Sequence, residues 1–247
     1  MQMSESTTVA LVTGGSRGIG AAIARRLAAE GMDVALTYRG AAQAAEAVAA
    51  DIRGLGRRAI AVQADSADAG QVAAAVHRTA AELGGVDILV NNAGIFPAKP
   101  FTDFTVAEID EALHIHARAA FVAAQAALAY MDRGGRVISI GSNLSERALF
   151  EGLTLYNLSK SALNGFTRAL ARELGPRGIT VNLVQPGSTD TDMNPAASSH
   201  AENQLRHSAL GRFGEADDIA GVVAFLAGPS GARLTGATLT VDGGTNA

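Results

Sequence analysis

A tyrosine and a lysine with helical spacing, Tyr156 and Lys160, are the residues of this sequence best suited to acid–base chemistry. Residues four apart lie on the same face of a helix, so the phenol and the ammonium group would be neighbours. A phenol has an unperturbed pKa of about 10, and a nearby positive charge lowers that pKa by stabilising the phenolate. Ser142 lies upstream, after a predicted strand, and adds a hydroxyl group. A lone Tyr-x-x-x-Lys also occurs on ordinary helix surfaces, so other motifs are needed to show whether this pair is catalytic.

A glycine-rich stretch near the start of the chain, residues 13–20, predicts a phosphate-binding turn. It contains Gly-x-x-x-Gly-x-Gly and lies between a predicted strand and a predicted helix. Glycines at this place let the backbone approach a pyrophosphate at the positive end of the helix. The alternatives are a plain tight turn and the nucleophile elbow of a serine hydrolase, centred on Ser16. The elbow is disfavoured because only one strand precedes it and no His-Gly-Gly segment is present.

The end of the second predicted strand indicates which nucleotide would bind. Folds specific for NAD place an acidic residue there to bind the ribose hydroxyls. This chain instead has Tyr38 followed by Arg39, and Arg17 lies in the glycine-rich turn. Guanidinium groups pair with a 2′-phosphate through charge-assisted hydrogen bonds, whereas a carboxylate would repel the phosphate. We therefore expect NADP(H) as the cofactor, the alternative being that both arginines are merely solvated.

The elements that must position these residues alternate along the chain. Short β-rich runs alternate with helical patterns, and the first helix has an apolar stripe of Ile19, Ile23 and Leu27. This alternation predicts an α/β fold: a single-domain, Rossmann-type, doubly wound parallel sheet of seven strands, spanning 1–247. An irregular connection at 188–208 is expected to form a substrate lid. The predicted strands are 9–12, 34–38, 59–62, 88–90, 137–140, 180–184 and 238–241.

Composition and charge exclude several functional classes. A net charge of −4 argues against binding nucleic-acid polymers, which requires clustered Lys and Arg. The absence of cysteine excludes disulfides, thiolate catalysis and sulfur-ligated zinc. His77, His200 and His207 lack metal-ligand spacing, so we expect no metal. The polar start, 1–8, is not typical of a signal peptide, and the apolar segment 117–131 is too short to span a membrane. We expect a cytoplasmic protein.

Six ordered motifs resemble those of the short-chain dehydrogenase/reductase family, and together they extend over nearly the whole chain. Besides the glycine-rich turn, Ser142 and the Tyr-x-x-x-Lys pair, they are Asn91-Asn92-Ala93-Gly94, Pro186-Gly187 and Val241-Asp242-Gly243-Gly244. Their common order makes coincidence implausible. The resemblance implies an oxidoreductase that reversibly reduces a ketone to a secondary alcohol by hydride transfer.

The resemblance also implies a role for each motif. Tyr156 would be the acid/base, Lys160 would tune its pKa and bind the ribose, and Ser142 would donate to the carbonyl oxygen. Residues 65–66 would lie beside the adenine, 92–94 beside the ribose and 186–191 around the nicotinamide carboxamide. The full cofactor-binding set is Gly14, Ser16, Arg17, Gly18, Ile19, Gly20, Tyr38, Arg39, Asp65, Ser66, Asn92, Ala93, Gly94, Tyr156, Lys160, Pro186, Gly187, Thr189 and Thr191.

One position departs from the family pattern. The family's catalytic Asn, which kinks a helix and holds a relay water, falls on His116 when counted back from Phe121. In many relatives the water is bound mainly by the backbone carbonyl of that residue, which a His also has. We therefore expect a tolerated substitution within the catalytic set. The alternatives are an imidazole that relays protons and titrates with pH, and a loss of activity.

The residues expected around the site also bear on the substrate and the partners. The expected pocket lining is mostly apolar, which suits an uncharged ketone or secondary alcohol; it comprises Asn143, Leu144, Leu149, Phe150 and Met193. The sequence also resembles 3-oxoacyl-acyl-carrier-protein reductases, in which the places of Arg133 and Arg177 dock the acidic carrier. The alternative is that both arginines are ordinary solvated charges at strand entries.

Two further expectations concern regulation and assembly. The stretch 184–195 resembles a subgroup that includes a cyclic-di-GMP-binding mediator of biofilm dispersal. On that alternative, the protein would be a nucleotide-binding regulator with little or no catalysis. The alanine-rich helix expected at 117–131 and the helix after Tyr156 carry small residues that permit close packing across a two-fold axis. With the family resemblance, they predict a homotetramer.

Overall fold

Seven parallel strands form one sheet in the computed structural model, which describes residues 7–247. Most of the polar start of the chain, 1–6, lies outside the described residues. The strands are β1 (Val9–Val12), β2 (Asp33–Tyr38), β3 (Ala59–Gln63), β4 (Ile88–Asn91), β5 (Arg136–Ile140), β6 (Thr180–Pro186) and β7 (Thr238–Val241). Their order across the sheet is β3-β2-β1-β4-β5-β6-β7. All seven expected strands are present, and β2 to β6 extend one or two residues beyond their expected bounds.

Helices cover both faces of the sheet, because its strands are apolar on both sides. They are α1 (Gly18–Ala29), α2 (Ala42–Gly54), α3 (Ala69–Leu83), α4 (Val106–Leu113), α5 (Ala119–Ala127), α6 (Thr154–Leu174), α7 (Ala201–Leu205) and α8 (Ala216–Ala227). The helices α1, α2 and α8 share one core with the sheet, and α3, α5 and α6 share another on its opposite face. The expected doubly wound α/β fold is confirmed. Within the described part of the chain, every helix is too short or too polar to cross a membrane.

The carboxyl ends of the parallel strands meet at one edge of the sheet, and the predicted site residues lie there. The strand β1 pairs with both β2 and β4, so the strand order reverses at this point. Such a reversal opens a crevice between the turns that follow the two strands. The glycine-rich turn follows β1, and Asn92 follows β4. Ser142 and Gly187 follow β5 and β6, and Asp242 follows β7, so five of the sequence motifs come directly after strands at this edge.

The alanine-rich helix expected at 117–131 is shorter than expected and is continuous with the helix before it. The helix α4 leads into a π-helical turn, His114–Arg118, and α5 begins directly after that turn. The helix α5 ends at Ala127, because the chain then changes to tighter i to i−3 pairing, in which the Tyr130 N–H donates to the Ala127 carbonyl at 2.9 Å. The expected bounds were wrong because alanine content favours helix without revealing a change of helical pitch.

The connection 188–208, expected to be a lid, has more structure than its irregular sequence indicated. Thr191 and Asn194 form an isolated antiparallel bridge, and the short helix α7 follows. The side-chain amides of Asn194 and Gln204 exchange two hydrogen bonds of 2.9 Å. Gln204 also accepts a hydrogen bond of 2.6 Å from the Ser188 hydroxyl. The segment is therefore held together by its own polar side chains.

Candidate active site

The expected acid–base group assembles where α6 passes the end of β5. Tyr156 and Lys160 lie in the first two turns of α6, and Lys160 is only 6% exposed. The Lys160 ammonium donates to the Ile140 carbonyl oxygen at 2.9 Å, which anchors it to the last residue of β5. Ser142, two residues further on, lies close enough to the Tyr156 phenol to influence its pKa, and its hydroxyl oxygen accepts from the Leu144 N–H at 3.2 Å. The fold thus brings together three side chains that the sequence places up to 18 residues apart.

Burial perturbs the pKa of both ionisable members of this group. It raises the pKa of Tyr156 above its ordinary value, and the neighbouring Ser142 hydroxyl offsets only part of that shift. Burial also lowers the pKa of Lys160 to about 8, because a desolvated ammonium group is costly. At neutral pH Tyr156 therefore keeps its proton and Lys160 keeps its charge. This is the protonation state that a tyrosine general acid requires.

Two aromatic rings hold the Tyr156 ring edge-on. The Phe96 ring centroid lies 4.7 Å from that of Tyr156, and the His116 centroid lies 5.9 Å away. Phe96 is 45% exposed, so part of its surface remains open beside the phenol. No motif marked this residue in the sequence; the available signal was an aromatic side chain two positions after Gly94. Phe96 forms an apolar wall next to the acid–base group.

His116 lies in the π-helical turn, and hydrogen bonds occupy both of its ring nitrogens. Nε2 accepts from the Ile95 N–H at 3.0 Å, which places the proton of the neutral ring on Nδ1. Nδ1 then donates to the Ser159 hydroxyl at 2.8 Å, and that hydroxyl donates to the Tyr156 carbonyl oxygen at 3.0 Å. Burial, and secondarily the charge of Lys160, lower the pKa of His116 to about 2. The imidazole is therefore neutral and fixed, which favours a tolerated substitution over a titrating relay.

The crevice between β1 and β4 is lined by glycines at positions where a side chain would collide with neighbouring atoms. A Cβ on Gly14 would come 2.9 Å from the Cα of Ala93, and one on Gly20 would collide with the Gly14 carbonyl and the Asn92 amide. The Thr13 hydroxyl accepts from the N–H groups of Asn92 at 2.9 Å and Ala93 at 3.0 Å, which ties the two turns together. The glycine-rich turn is thus held at the amino end of α1, where a pyrophosphate binds well.

Gly94 joins this crevice to the acid–base group. A Cβ at Gly94 would approach Nε2 of His116 to 3.1 Å and Nζ of Lys160 to 3.3 Å. The backbone therefore passes directly beside the Lys160 ammonium. The residues present fit a dinucleotide with its pyrophosphate at the glycine-rich turn and its reactive ring near Tyr156.

The residues expected at the adenosine end lie in the turns after β1, β2 and β3. Arg17 precedes the first residue of α1 and is exposed. Arg39 is also exposed, with its guanidinium 4.0 Å from a Glu111 carboxylate oxygen. Asp65 and Ser66 follow β3, where the Asp65 carboxylate accepts from a backbone N–H at 2.9 Å. Both guanidinium groups are accessible to a phosphate. Three more of the expected residues are half-buried: Ser16 in the glycine-rich turn, Ile19 in the first turn of α1 and Tyr38 at the end of β2.

The residues expected at the nicotinamide end follow β6. Pro186 is the last residue of β6, and Gly187 follows it. Thr189 is buried, and its hydroxyl donates to the Gly187 carbonyl at 3.1 Å, so the polar side chain is satisfied within its own turn. The Thr191 methyl carbon lies 3.4 Å from the position of a Cβ on Gly18. The 188–208 segment therefore reaches across the edge of the sheet to the glycine-rich turn.

Arg133 and Arg177 lie away from this site. The Arg177 guanidinium donates to the carbonyl oxygens of Leu128 at 3.0 Å and Met131 at 2.8 Å, and the Arg133 side chain packs against Gly178. The two arginines precede β5 and β6, so they lie at the amino edge of the sheet. Tyr156 lies at the carboxyl edge, and within one chain the structure does not bring the arginines to it.

Two other chemistries lack matching geometry in the described residues. Across 7–247, no three His, Asp or Glu side chains are grouped to hold a metal ion. The hydrogen bonds of the histidine rings in this part of the chain go to Tyr130, Ile95 and Ser159, and none reaches Ser16. A serine nucleophile at Ser16 therefore has no histidine base in this structure.

Comparison with known proteins gives one consistent family. The model of a family described as enoyl-(acyl carrier protein) reductase matches residues 14–246. A crystal structure of a short-chain dehydrogenase from Burkholderia cenocepacia J2315 in complex with NADP is 56% identical, with a TM-score of 0.96 and coverage of 100% of both chains.

Two curated relatives are similar over almost their full lengths. The cyclic-di-GMP-binding biofilm dispersal mediator protein of Escherichia coli (strain K12) is 42% identical over 94% of this chain and 94% of its own. A 3-oxoacyl-[acyl-carrier-protein] reductase of Staphylococcus aureus (strain Mu50) is 40% identical over 99% of both chains. The chain is thus similar both to a reductase and to a protein named for nucleotide binding.

Proposed function

The chain belongs to the short-chain dehydrogenase/reductase family, and we propose that it is an NADP(H)-dependent oxidoreductase that reversibly reduces an uncharged ketone to a secondary alcohol. One observation carries this proposal. Ser142, Tyr156 and Lys160 assemble at the edge of the glycine crevice, with Lys160 beside the backbone of Gly94.

The cofactor proposal rests on the crevice, the two exposed arginines and the NADP-bound relative. The glycine-rich turn would hold the pyrophosphate at the amino end of α1. Arg17 and Arg39 would bind the 2′-phosphate, since each can donate several charged hydrogen bonds. Lys160 would bind the ribose from its buried position beside Gly94. When bound, the reduced nicotinamide supplies a hydride to the carbonyl carbon.

Residues of the chain would supply the proton that the carbonyl oxygen of the substrate needs. Tyr156, protonated at neutral pH, would donate its phenolic proton to the carbonyl oxygen of the substrate. The Ser142 hydroxyl would donate a hydrogen bond to the same oxygen and stabilise the charge that develops there. The charged Lys160 would then favour the phenolate left on Tyr156. His116 would serve this group by fixing the backbone around Tyr156 through Ser159, without exchanging protons.

The substrate class follows from the apolar walls of the site. Phe96 lies beside the phenol, and Met193 exposes 55% of its surface in the 188–208 segment. The Phe150 and His207 rings pack edge-on with centroids 5.6 Å apart, so the two segments expected to line the pocket touch. An uncharged ketone fits such walls, and the 188–208 segment would cover it as a lid. A carrier docked on Arg133 and Arg177 would serve the site of another subunit, since the pair lies at the opposite edge.

A homotetramer would provide such neighbouring subunits. Phe121 on α5 and Leu158 on α6 are 58% and 56% exposed. Apolar side chains with this exposure on adjacent helices suit burial against a second copy of the chain.

The direct test follows NADPH oxidation by the purified protein with a panel of ketones. The panel contains aliphatic and aromatic ketones and one 3-oxoacyl substrate, supplied both free and on acyl-carrier protein. Turnover of any neutral ketone supports the proposal, and a preference for the carrier-bound form would identify the finer substrate. Absence of turnover on every member would contradict it.

The second candidate function is a nucleotide-binding regulator, favoured by the similarity to the biofilm dispersal mediator. Calorimetric titration with cyclic-di-GMP separates the two candidates. Tight binding without ketone turnover would support the regulator, and turnover without binding would support the reductase.

A further inference from the structure

The segment after β7 contains a carboxylate that gathers three hydrogen bonds. The Asp242 Oδ1 accepts from the Gly244 N–H at 3.0 Å. Its Oδ2 accepts from the Asn246 N–H at 3.0 Å and from the Asn143 side-chain amide at 3.2 Å. Two of these bonds are local turn contacts. The third joins Asp242 to a residue 99 positions earlier, which directly follows Ser142.

Other contacts bind the same two segments together. The Asn246 side-chain amide donates to the Asn143 carbonyl at 2.8 Å, and the Arg147 guanidinium donates to the Thr245 carbonyl at 3.0 Å. Asn143 is only 4% exposed and opens a short 3₁₀ turn, Asn143–Ser145. Residues 242–246 therefore hold the loop after Ser142 at two points. One is the buried Asn143, and the other is Arg147, four residues later.

Asp242 also lies against the turn that follows β6. A Cβ on Gly187 would come 2.6 Å from the Asp242 Cα and Cβ, so the two backbones are in direct contact. The Gly187 N–H donates to the Val241 carbonyl at 3.0 Å. Asp242 is thus fixed on one side by the turn after β6, and it fixes Asn143 on the other.

We propose that Asp242 is a positioning residue for Ser142, acting through its hydrogen bond to Asn143. The inference rests on the proposed function, because it assigns Ser142 a hydrogen bond to the reacting oxygen. Such a donor stabilises a transition state only from a defined position, and small displacements cost much of its effect. The Asn143 side chain is hydrogen-bonded to Asp242, and its backbone is linked to Ser142 by a peptide bond. Movement of Asn143 therefore moves the Ser142 hydroxyl.

The variant Asp242→Asn tests this role with little change of shape. The carboxylate accepts three N–H groups at two oxygens, whereas an amide has one oxygen and presents its own N–H groups to the remaining donors. We expect kcat for ketone reduction to fall about tenfold, while the Kd for NADPH stays within about twofold. Asp132→Asn is the matched control, since the exposed Asp132 carboxylate makes no hydrogen bond or ion pair with any described residue.

A double-mutant cycle with Ser142→Ala separates positioning from general stability. If Asp242 acts through Ser142, then Asp242→Asn costs less than about twofold in kcat once the hydroxyl is absent. If the two losses multiply, Asp242 does not act through Ser142 and the inference is overturned. The melting temperature of each variant is measured alongside, because a structural role alone would lower it without this dependence on Ser142.

If the unmutated protein reduces no ketone, the proposed function is refuted. Crystal structures then test whether Asp242 positions Ser142. Displacement of Ser142 and Asn143 in Asp242→Asn relative to the parent supports it. An unchanged loop overturns it.

Discussion

The buried His116 imidazole makes stability sensitive to acid. The side chain is 3% exposed, and burial lowers its pKa from 6.5 to about 2. In the unfolded chain the imidazole regains a pKa of about 6.5. Between these two values the unfolded chain binds one more proton at His116 than the folded chain does, so this residue makes the free energy of unfolding fall as pH falls below 6.5. The perturbation that removes this effect is His116→Asn.

The magnitude follows from the size of the pKa shift. Each pH unit below the unfolded pKa is worth about 1.4 kcal/mol for one such group. From pH 7 to pH 5 the parent should therefore lose about 2 kcal/mol more than His116→Asn does. This pH dependence of the free energy of unfolding ends near pH 2, where the imidazole of the folded chain would also protonate.

The assay is urea unfolding of parent and variant at pH 7, 6 and 5, at one protein concentration because assembly also affects the midpoint. His200→Asn is the matched control, since it removes an exposed imidazole. The kcat/KM of His116→Asn should stay within about tenfold of the parent value. Parallel stability curves for parent and His116→Asn would refute the burial argument. An inflection in the parent activity profile near pH 6.5 that vanishes in the variant would refute the fixed neutral ring.

Three further predictions test the cofactor site and the assembly. Arg39→Asp should move the ratio of kcat/KM for NADPH over NADH toward NADH, because a carboxylate repels the 2′-phosphate; an unchanged ratio would place the phosphate elsewhere. Gly20→Ala should weaken NADPH binding at least about tenfold in a fluorescence titration, because its Cβ would collide with Gly14 and Asn92; unchanged binding would contradict the crevice. Light scattering should give the mass of four 25.1 kDa chains, and a single-chain mass would exclude the tetramer.

The sequence predicted those features that depend on local pattern. The β-rich run at 137–140 and the spacing of Tyr156 and Lys160 each reflect backbone periodicity, so the strand and the shared helix face could be predicted. The resemblance then placed Ser142 near them. The glycines were predictable for a related reason, since close backbone contacts such as that between Gly14 and Ala93 exclude a side chain.

The features missed depend on contacts between distant residues. The Ser159 hydroxyl that fixes the His116 ring comes from another helix, 43 residues later. Asp242 belongs to a recognised motif, but its hydrogen bond to Asn143 spans 99 residues, and no local pattern indicates such a partner. Phe96 lies in an irregular loop, where nothing local indicates that its ring reaches Tyr156.

The most direct test of Tyr156 as the general acid is the turnover of Tyr156→Phe. Phenylalanine keeps the ring that packs between Phe96 and His116, and it removes only the proton donor. We predict that the Kd for NADPH stays within about twofold and that kcat for ketone reduction falls about 100-fold or more. Retention of the parent kcat in this variant would contradict the assignment of Tyr156 as the acid.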